Sequence, residues 1–413
     1  MIRRIALEPW QKNLAASVLI QVLSLLAFQA GAVLVPYFIQ DLGVTDLKAA
    51  AAWTGAWQSV GAAIFAIFTP IWGAISDRYG RRPNLLRAAA ATAIMIGING
   101  LVQAPWQLLV VRALQGMFTG TPAAATALVA VGTPKKHLAF ALGLLQTSFF
   151  IGMSIGPMVG GYLGDAIGFR ATFYVSAIIV LISFLIALKF TVEPEESVAA
   201  RERAQKENAL TTFRDLLRIP TLMGLIVLTV IINLTGSILS PAMPIFIQEI
   251  IPPDRSPASV AGNVFGASAL AAAVSAIVAG KVSDRIGHRK TVLVSTLGVT
   301  LLYVPQGLAP TATALGVFAA LQGLFRGGLG PSMNAMVVES SPRDKTGSAL
   351  GLSSSAASIG FALGPMLGAA ILAALSTRAV FFIAAGLFAL VTLGVAILAR
   401  RAEPQFDTAS PSE

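Results

Sequence analysis

Charged residues fall so unevenly along the 413 positions that they cut the chain into long uncharged runs, at 13–40, 49–76, 137–164, 171–188, 219–248, 256–280, 346–377 and 379–399. Each run can hold one helix of about 20 residues, the length that crosses roughly 30 Å of hydrocarbon. Two longer tracts, 88–134 and 291–338, are interrupted only by Arg112 or Arg326 and carry a turn-like Gln103-Ala104-Pro105 or Ala309-Pro310-Thr311 near the middle. Each of these holds two helices. The pattern predicts an all-α membrane protein with twelve transmembrane helices and both termini on one side. Only 12% of residues are charged, against about 25% in soluble proteins, so a water-soluble domain of this length is excluded.

Assigning the loops alternately to two sides separates the charges. One side carries only Lys48, Arg170, Arg255 and Arg378, while the other takes 23 of the 29 basic residues against 14 acidic ones. Lys and Arg concentrate on the cytoplasmic side of membrane proteins, which places both termini in the cytoplasm and the chain in the cell (inner) membrane. The formal charge of +10 is then a topology signal, and nucleic-acid binding is not needed to explain it. The first apolar run, 28 residues long, exceeds the core of a cleavable leader, about 7 to 15, and reads as the first span. The absence of cysteine and the presence of only two histidines, His137 and His288, exclude thiol chemistry and leave no metal site or cofactor to expect.

A shift of 207 or 208 positions brings the halves into register. Pro36-Tyr-Phe-Ile-Gln40-Asp41 falls on Pro244-Ile-Phe-Ile-Gln248-Glu249, and Gly73-Ala-Ile-Ser-Asp77-Arg78-Tyr-Gly80-Arg81-Arg82 falls on Gly280-Lys-Val-Ser-Asp284-Arg285-Ile-Gly287-His-Arg. Gln115-Gly116 meets Gln322-Gly323, and Gly152, Gly156, Pro157 and Gly160 meet Gly360, Gly364, Pro365 and Gly368. One offset kept through so many motifs predicts two parallel, pseudo-symmetric six-helix bundles, 1–189 and 219–400, with a site between them near the membrane midplane. The charge-crowded stretch 190–218 reads as a cytoplasmic, partly helical linker, and 401–413 as a cytoplasmic tail.

The Gly-x-x-x-Asp-Arg-x-Gly-Arg-Arg stretch at 73–82, with its copy at 280–289, resembles the best-known signature of the major facilitator superfamily, and the resemblance covers nearly the whole chain. It implies a gating latch between the halves formed by Gly73, Asp77, Arg78, Gly80, Arg81, Gly280, Asp284, Arg285 and Gly287; the alternative is an anchored turn without a switching role. Its glycines are expected to permit a tight turn. In span five, Gly152-x-x-x-Gly156-Pro157-x-x-Gly160 is similar to the antiporter motif of drug/proton antiporters with twelve spans, which implies export. Glycines at spacing four also let a neighbouring backbone approach closely, so ordinary packing is the competing reading.

Arg112, within span four, should face a cavity or a partner rather than lipid. Its setting Arg112-Ala-Leu-Gln115-Gly116 resembles the family's span-four motif, which implies proton coupling. No Asp or Glu lies well inside a span, so Asp41 and Glu249 at the outer ends of spans one and seven are the repeat-related carboxylate candidates. Gln29, Gln115, Gln146, Asn233, Gln322 and Arg326 are candidate cavity residues, polar groups among apolar neighbours that suit an amphipathic compound. No phosphate-binding loop of the Gly-x-x-x-x-Gly-Lys-Ser/Thr type occurs. The expectation is a monomeric, proton-coupled secondary transporter exporting amphipathic small molecules by alternating access. The alternatives are export of an endogenous metabolite such as a siderophore, an uptake symporter, a membrane-embedded enzyme using Ser154, or a non-transporting receptor.

Overall fold

The computed structural model describes residues 8–194, 216–342 and 345–401, which form helices and no strand. The first set comprises α1 (Pro9–Ala32), α2 (Val35–Asp41), α3 (Leu47–Tyr79), α4 (Arg81–Asn99), α5 (Pro105–Phe118), α6 (Thr121–Gly132), α7 (Lys135–Ile167) and α8 (Phe169–Phe190). The second comprises α9 (Pro220–Ile250), α10 (Pro257–Ile286), α11 (His288–Gly307), α12 (Ala312–Arg326), α13 (Leu329–Glu339), α14 (Thr346–Ala374) and α15 (Thr377–Arg401). The linker expected over 190–218 lies mostly outside the described residues, as does the tail beyond 401.

Proline sits in the first turn of α1, α2, α5, α6, α9 and α10, where its missing N–H is not needed by the helix. The run 13–40 is one apolar stretch in sequence but breaks at 33–34, ahead of Pro36. Fourth and tenth runs break as well, at 119–120 and 327–328, positions matched by the repeat offset. Among the described residues, ten stretches are long and apolar enough to cross a membrane. α4 and α11 fall outside those ten and pack along α8 and α15.

Pairings inside the two sets repeat. α1 packs on α7 as α9 packs on α14, α3 on α5 as α10 on α12, and α4 on α8 as α11 on α15. Between the sets, the principal contacts are α7 with α10 and α3 with α14, themselves repeat-related. In lipid no hydrophobic force drives helices together, so close packing of small residues supplies the attraction. The Gly152/Gly156/Gly160 stripe does this within one set: a Cβ at Gly156 would stand 2.6 Å from the Gln29 Cβ and 2.8 Å from the Leu26 carbonyl oxygen of α1. Gly360, Gly364 and Gly368 face Val230, Leu234, Ser237 and Ile238 of α9 in the same way.

One expectation is corrected here. Gly73 and Gly280 do not shape turns, because α3 stays helical to Tyr79 and α10 to Ile286. Turning is left to Gly80 and Gly287 alone, with φ of 118° and 91°, a region open to glycine and strained for any side chain.

Candidate functional site

The two sets meet along paired faces, and the contact is one-sided. Near the end of the molecule away from Gly80 and Gly287, Gly55 of α3 lies so close to α14 that a Cβ would be 2.7 Å from the Pro365 carbonyl oxygen and 2.9 Å from the Ala369 Cβ. The repeat-related Gly262 of α10 abuts the Pro157 carbonyl of α7. Met366 N–H donates to Ser59 Oγ at 3.2 Å, and the matching Gly266 packs on Met158. Lys48 Nζ donates to the Ala373 carbonyl at 3.0 Å, while at the matching positions Ser256 Oγ donates to Asp165 Oδ1. Close to the pseudo-axis, the repeat-related Gln40 and Gln248 exchange amide hydrogen bonds of 3.2 and 3.3 Å. Tyr37 OH donates to the Pro257 carbonyl and Asn263 Nδ2 to Tyr162 OH, each at 3.1 Å.

Eighteen residues are five full helical turns, about 27 Å, and return to the same face. Eighteen positions on from Gly55 is Gly73, from Gly262 is Gly280; eighteen back from Gly161 is Gly143, from Ala369 is Gly351. A Cβ at any of these four would meet nothing within 4 Å, whereas one at Gly161 would be 2.5 Å from the Ala258 carbonyl oxygen. The same four faces are therefore sealed at one end and parted at the other, which makes a cleft open on the side of Gly80 and Gly287.

Arg112 extends from α5 into the first bundle. Its guanidinium carbon stands 4.3 Å from the Trp57 ring centroid and 5.0 Å from that of Phe28, and Nη1 donates to Gln115 Oε1 at 3.0 Å. Aromatic faces and an amide replace a carboxylate partner, an arrangement suited to a desolvated guanidinium. Gly61 makes the room: its backbone lies against the Arg112 Nε. Phe28, Trp57, Asn99 and Gln115 line a small crevice beside it. Arg326, at the end of α12, lays its guanidinium on Gly236 of α9, with Gln322 one turn earlier beside the Tyr303 hydroxyl.

Other expected site residues are dispersed. Gln146 is exposed on α7; Asn233 donates to the Thr229 carbonyl of its own helix at 2.8 Å; Gln29 is packed against Gly156. Asp41 and Glu249 are exposed at the sealed end, and Glu249 accepts from Thr377 Oγ1 at 2.6 Å. Among the contacts of the described residues, neither reaches Arg112 or Arg326.

At the open end, Asp77 pairs with Arg81 one turn on, and Arg78 is exposed over the Tyr79 ring. The Asp284 side chain lies outside the described residues, and Arg285 is exposed. Sequence reading missed the residue that ties this end together. Glu193, just beyond α8, accepts from the backbone N–H groups of Arg81 and Arg82 at 2.7 Å each. It thereby caps α4, whose own N-cap position is the side-chain-free Gly80. The only signal for it was a Glu-Pro pair directly after an apolar run. Trp72 and Arg87 were missed too: Arg87 stacks 3.5 Å over Trp72 and donates to the Phe118 carbonyl at 2.7 Å.

Comparisons with known proteins fit this geometry. The sequence profile of the Major Facilitator Superfamily matches residues 17–251 and 225–413. The multidrug resistance protein MdtG of Citrobacter koseri is 33% identical over 378 residues, covering 91% of this chain and 92% of its own; that of Escherichia coli O1:K1 is 32% identical over the same span. Among solved structures, the nucleoside transporter NupG superposes with a TM-score of 0.78 at 14% identity, over 94% of this chain and all but 1% of its own. A bacterial homologue of the lysosomal transporter Spinster, inward-facing, gives 0.74 at 16% identity over 98% of this chain and the whole of its own. A repeat-built helical membrane protein with a one-sided cleft, matched by this profile along its length, is a transporter of small molecules and not an enzyme, and the chain belongs to the major facilitator superfamily.

Proposed function

We propose that the chain is a proton-coupled exporter of amphipathic small molecules, a multidrug efflux protein of the cell inner membrane. The observation that carries the reading is the cleft sealed at one end by repeat-related contacts and parted at the other along the same helix faces. Two bundles, 1–189 and 219–400, rock about that seam and expose one site alternately to either side, with 190–218 as linker and 401–413 as tail. α4 and α11 complete twelve spans. The open end bears most Lys and Arg and is cytoplasmic, so both termini are cytoplasmic and this conformation faces inward. Export is supported by relatives named for multidrug resistance. A monomer suffices, because each chain carries both halves of the site.

Gly73, Asp77, Arg78, Gly80 and Arg81, with Gly280, Asp284, Arg285 and Gly287, form the latch that holds the inner end shut in the opposite state. Arg326, Gln322, Gln146, Asn233, Gln29 and Gln115 supply polar contacts to substrate. Arg112, with Asp41 and Glu249 flanking the Gln40–Gln248 seam, couples proton entry to closure. One proton entering down 100 mV supplies roughly 2.3 kcal/mol, enough to bias export about fiftyfold.

Purified protein in vesicles, loaded with fluorescent amphipathic drugs and given a pH gradient, tests this. Drug movement should follow the gradient, stop with an uncoupler and fall in Arg112→Ala. Equal movement with and without the gradient removes the coupling; no movement of any drug, with an unchanged susceptibility pattern in a deletion strain, removes multidrug export.

A further inference from the structure

Arg112 and Arg326 interrupt otherwise uncharged tracts, and they do so at positions the repeat does not relate. By the offset of 207, Arg112 of α5 corresponds to Ala319 and Arg326 of α12 to Thr119. Their guanidinium groups nevertheless arrive at matching places. Arg112 stands over Phe28 of α1 and Arg326 lies on Gly236 of α9, and Phe28 and Gly236 are related by the offset of 208 that also pairs Gln40 with Gln248. A glycine makes the room each time, Gly61 for Arg112 and Gly236 for Arg326, where a Cβ would collide with the guanidine group. α1 and α5 are not packed along each other, nor are α9 and α12, so each arginine crosses the gap between two helices of its own bundle.

Neither cation is neutralised. Among the described residues no carboxylate lies within ion-pair distance of Arg112 or Arg326: Asp41 and Glu249 stand at the sealed end, Asp77 and Glu339 at the open end. Two buried donors stand beside the arginines. Trp57 Nε1, on the ring beneath Arg112, and Gln322 Nε2, one turn before Arg326, have no acceptor among the described residues, and the two residues are only 4% and 5% exposed. A region with two guanidinium groups, spare N–H donors and no acid is matched by an acceptor that carries negative charge. Taking a cation out of water without a partner is costly, so a bound anion recovers free energy that the empty protein has already lost. The guanidinium fork fits the oxygens of a carboxylate or sulfonate.

We propose that Arg112 and Arg326, one from each bundle, form a cationic cradle that selects amphipathic anions, solutes with a carboxylate or sulfonate group on an apolar body. This selectivity rests on the export reading above and narrows its substrate class. The guanidinium groups hold the anionic end, Trp57 Nε1 and Gln322 Nε2 donate to it, and the Phe28 and Trp57 rings supply apolar surface for the body. Amphipathic cations are disfavoured, because in a cleft shielded from water they meet two like charges with no acid to offset them.

Two xanthene dyes of opposite charge test this on the detergent-purified full chain at mildly alkaline pH: fluorescein, an anion, and tetramethylrhodamine methyl ester, a cation, each titrated and read by fluorescence anisotropy. Fluorescein should bind about tenfold more tightly, the size of one charge-assisted hydrogen bond. Arg112→Gln and Arg326→Gln should each weaken fluorescein about tenfold and leave the cation unchanged or tighter, while Arg326→Lys keeps the preference. Equal affinities in the unaltered protein, tighter binding of the cation or no binding of fluorescein overturns the cradle, whether or not any variant folds. So does an equal loss for both dyes in Arg326→Gln, the mark of a structural arginine. Displacement of fluorescein by equimolar phosphatidylglycerol assigns the cradle to a lipid headgroup and overturns the solute. Vesicles under a pH gradient separate the export reading: movement of the cation with none of the anion keeps export and overturns the selectivity, whereas anion-selective binding with no movement of either dye keeps the cradle and removes export.

Discussion

Gly161 and Gly143 share one face of α7, five turns apart, and the structure gives them opposite surroundings. A Cβ at Gly161 would stand 2.5 Å from the Ala258 carbonyl oxygen, 2.8 Å from the Ser259 Cα and 3.0 Å from the Ala258 carbonyl carbon. All three are backbone atoms of the start of α10, so no side chain can swing away. Gly161→Ala must push α7 and α10 apart by about 0.5 Å merely to clear the closest contact, and overpacking of this kind costs about 1–3 kcal/mol. Because only the sealed state brings these backbones together, that cost falls on it alone and shifts the conformational ratio about 5- to 150-fold. Gly143→Ala meets nothing within 4 Å in this state, and adds helix propensity of up to about 1 kcal/mol in both states. Under alternating closure it penalises only the opposite state. In the cysteine-free background a single Ser59→Cys, 7% exposed in the seam, serves as reporter of the sealed end. Its alkylation rate should rise with Gly161→Ala and fall or stay low with Gly143→Ala. Two shifts of the same sign, or no shift for Gly161→Ala, would refute the assignment of that face as a two-state seam.

Further outcomes follow from other contacts. Glu193→Gln keeps the shape but not the charge on two backbone N–H groups; it should destabilise the first bundle by about 1 kcal/mol, read as a fall in Tm. Arg112→Lys keeps the charge but loses the planar stack between Trp57 and Phe28 and the bond to Gln115, so drug resistance should drop although the protein still inserts and binds drug in a thermal-shift assay. Gln40→Leu should destabilise by about 1 kcal/mol by stranding the Gln248 amide, and Gln248→Leu by less, because Gln40 Nε2 also donates to the Pro36 carbonyl at 3.2 Å. The double variant should cost less than the two singles together, because the pair is made only between them.

The membrane-spanning helical character and the repeat offset were legible because helical membrane proteins write their architecture into charge distribution and period. The four parted glycines were present in the sequence, but their meaning needed their partners eighteen residues away to be seen in contact. Other features were hidden for a definite reason. Glu193 bonds residues 112 and 111 positions earlier, and no local pattern encodes which helix start a carboxylate will reach. Gly73 and Gly280 looked like turn residues within a polar motif, yet helix propagation carried through them because their φ stays helical and only the next glycine reverses the chain. The Gly152/Gly156/Gly160 stripe marked close approach correctly, but only the packing showed that it faces α1 while Pro157 faces α10.

The sequence by itself determined that this chain must lie in a membrane, that its two halves repeat, and which helix faces carry small residues, since these follow from burial cost and a 3.6-residue period. Tertiary structure alone decided which of those faces touch, that they touch at one end and not the other, and that Arg112 is held by aromatic rings instead of an acid. Periodicity fixes the direction in which a side chain points along its own helix; what it meets there is a balance between alternative packings of the same faces, separated by a few kcal/mol spread over many contacts.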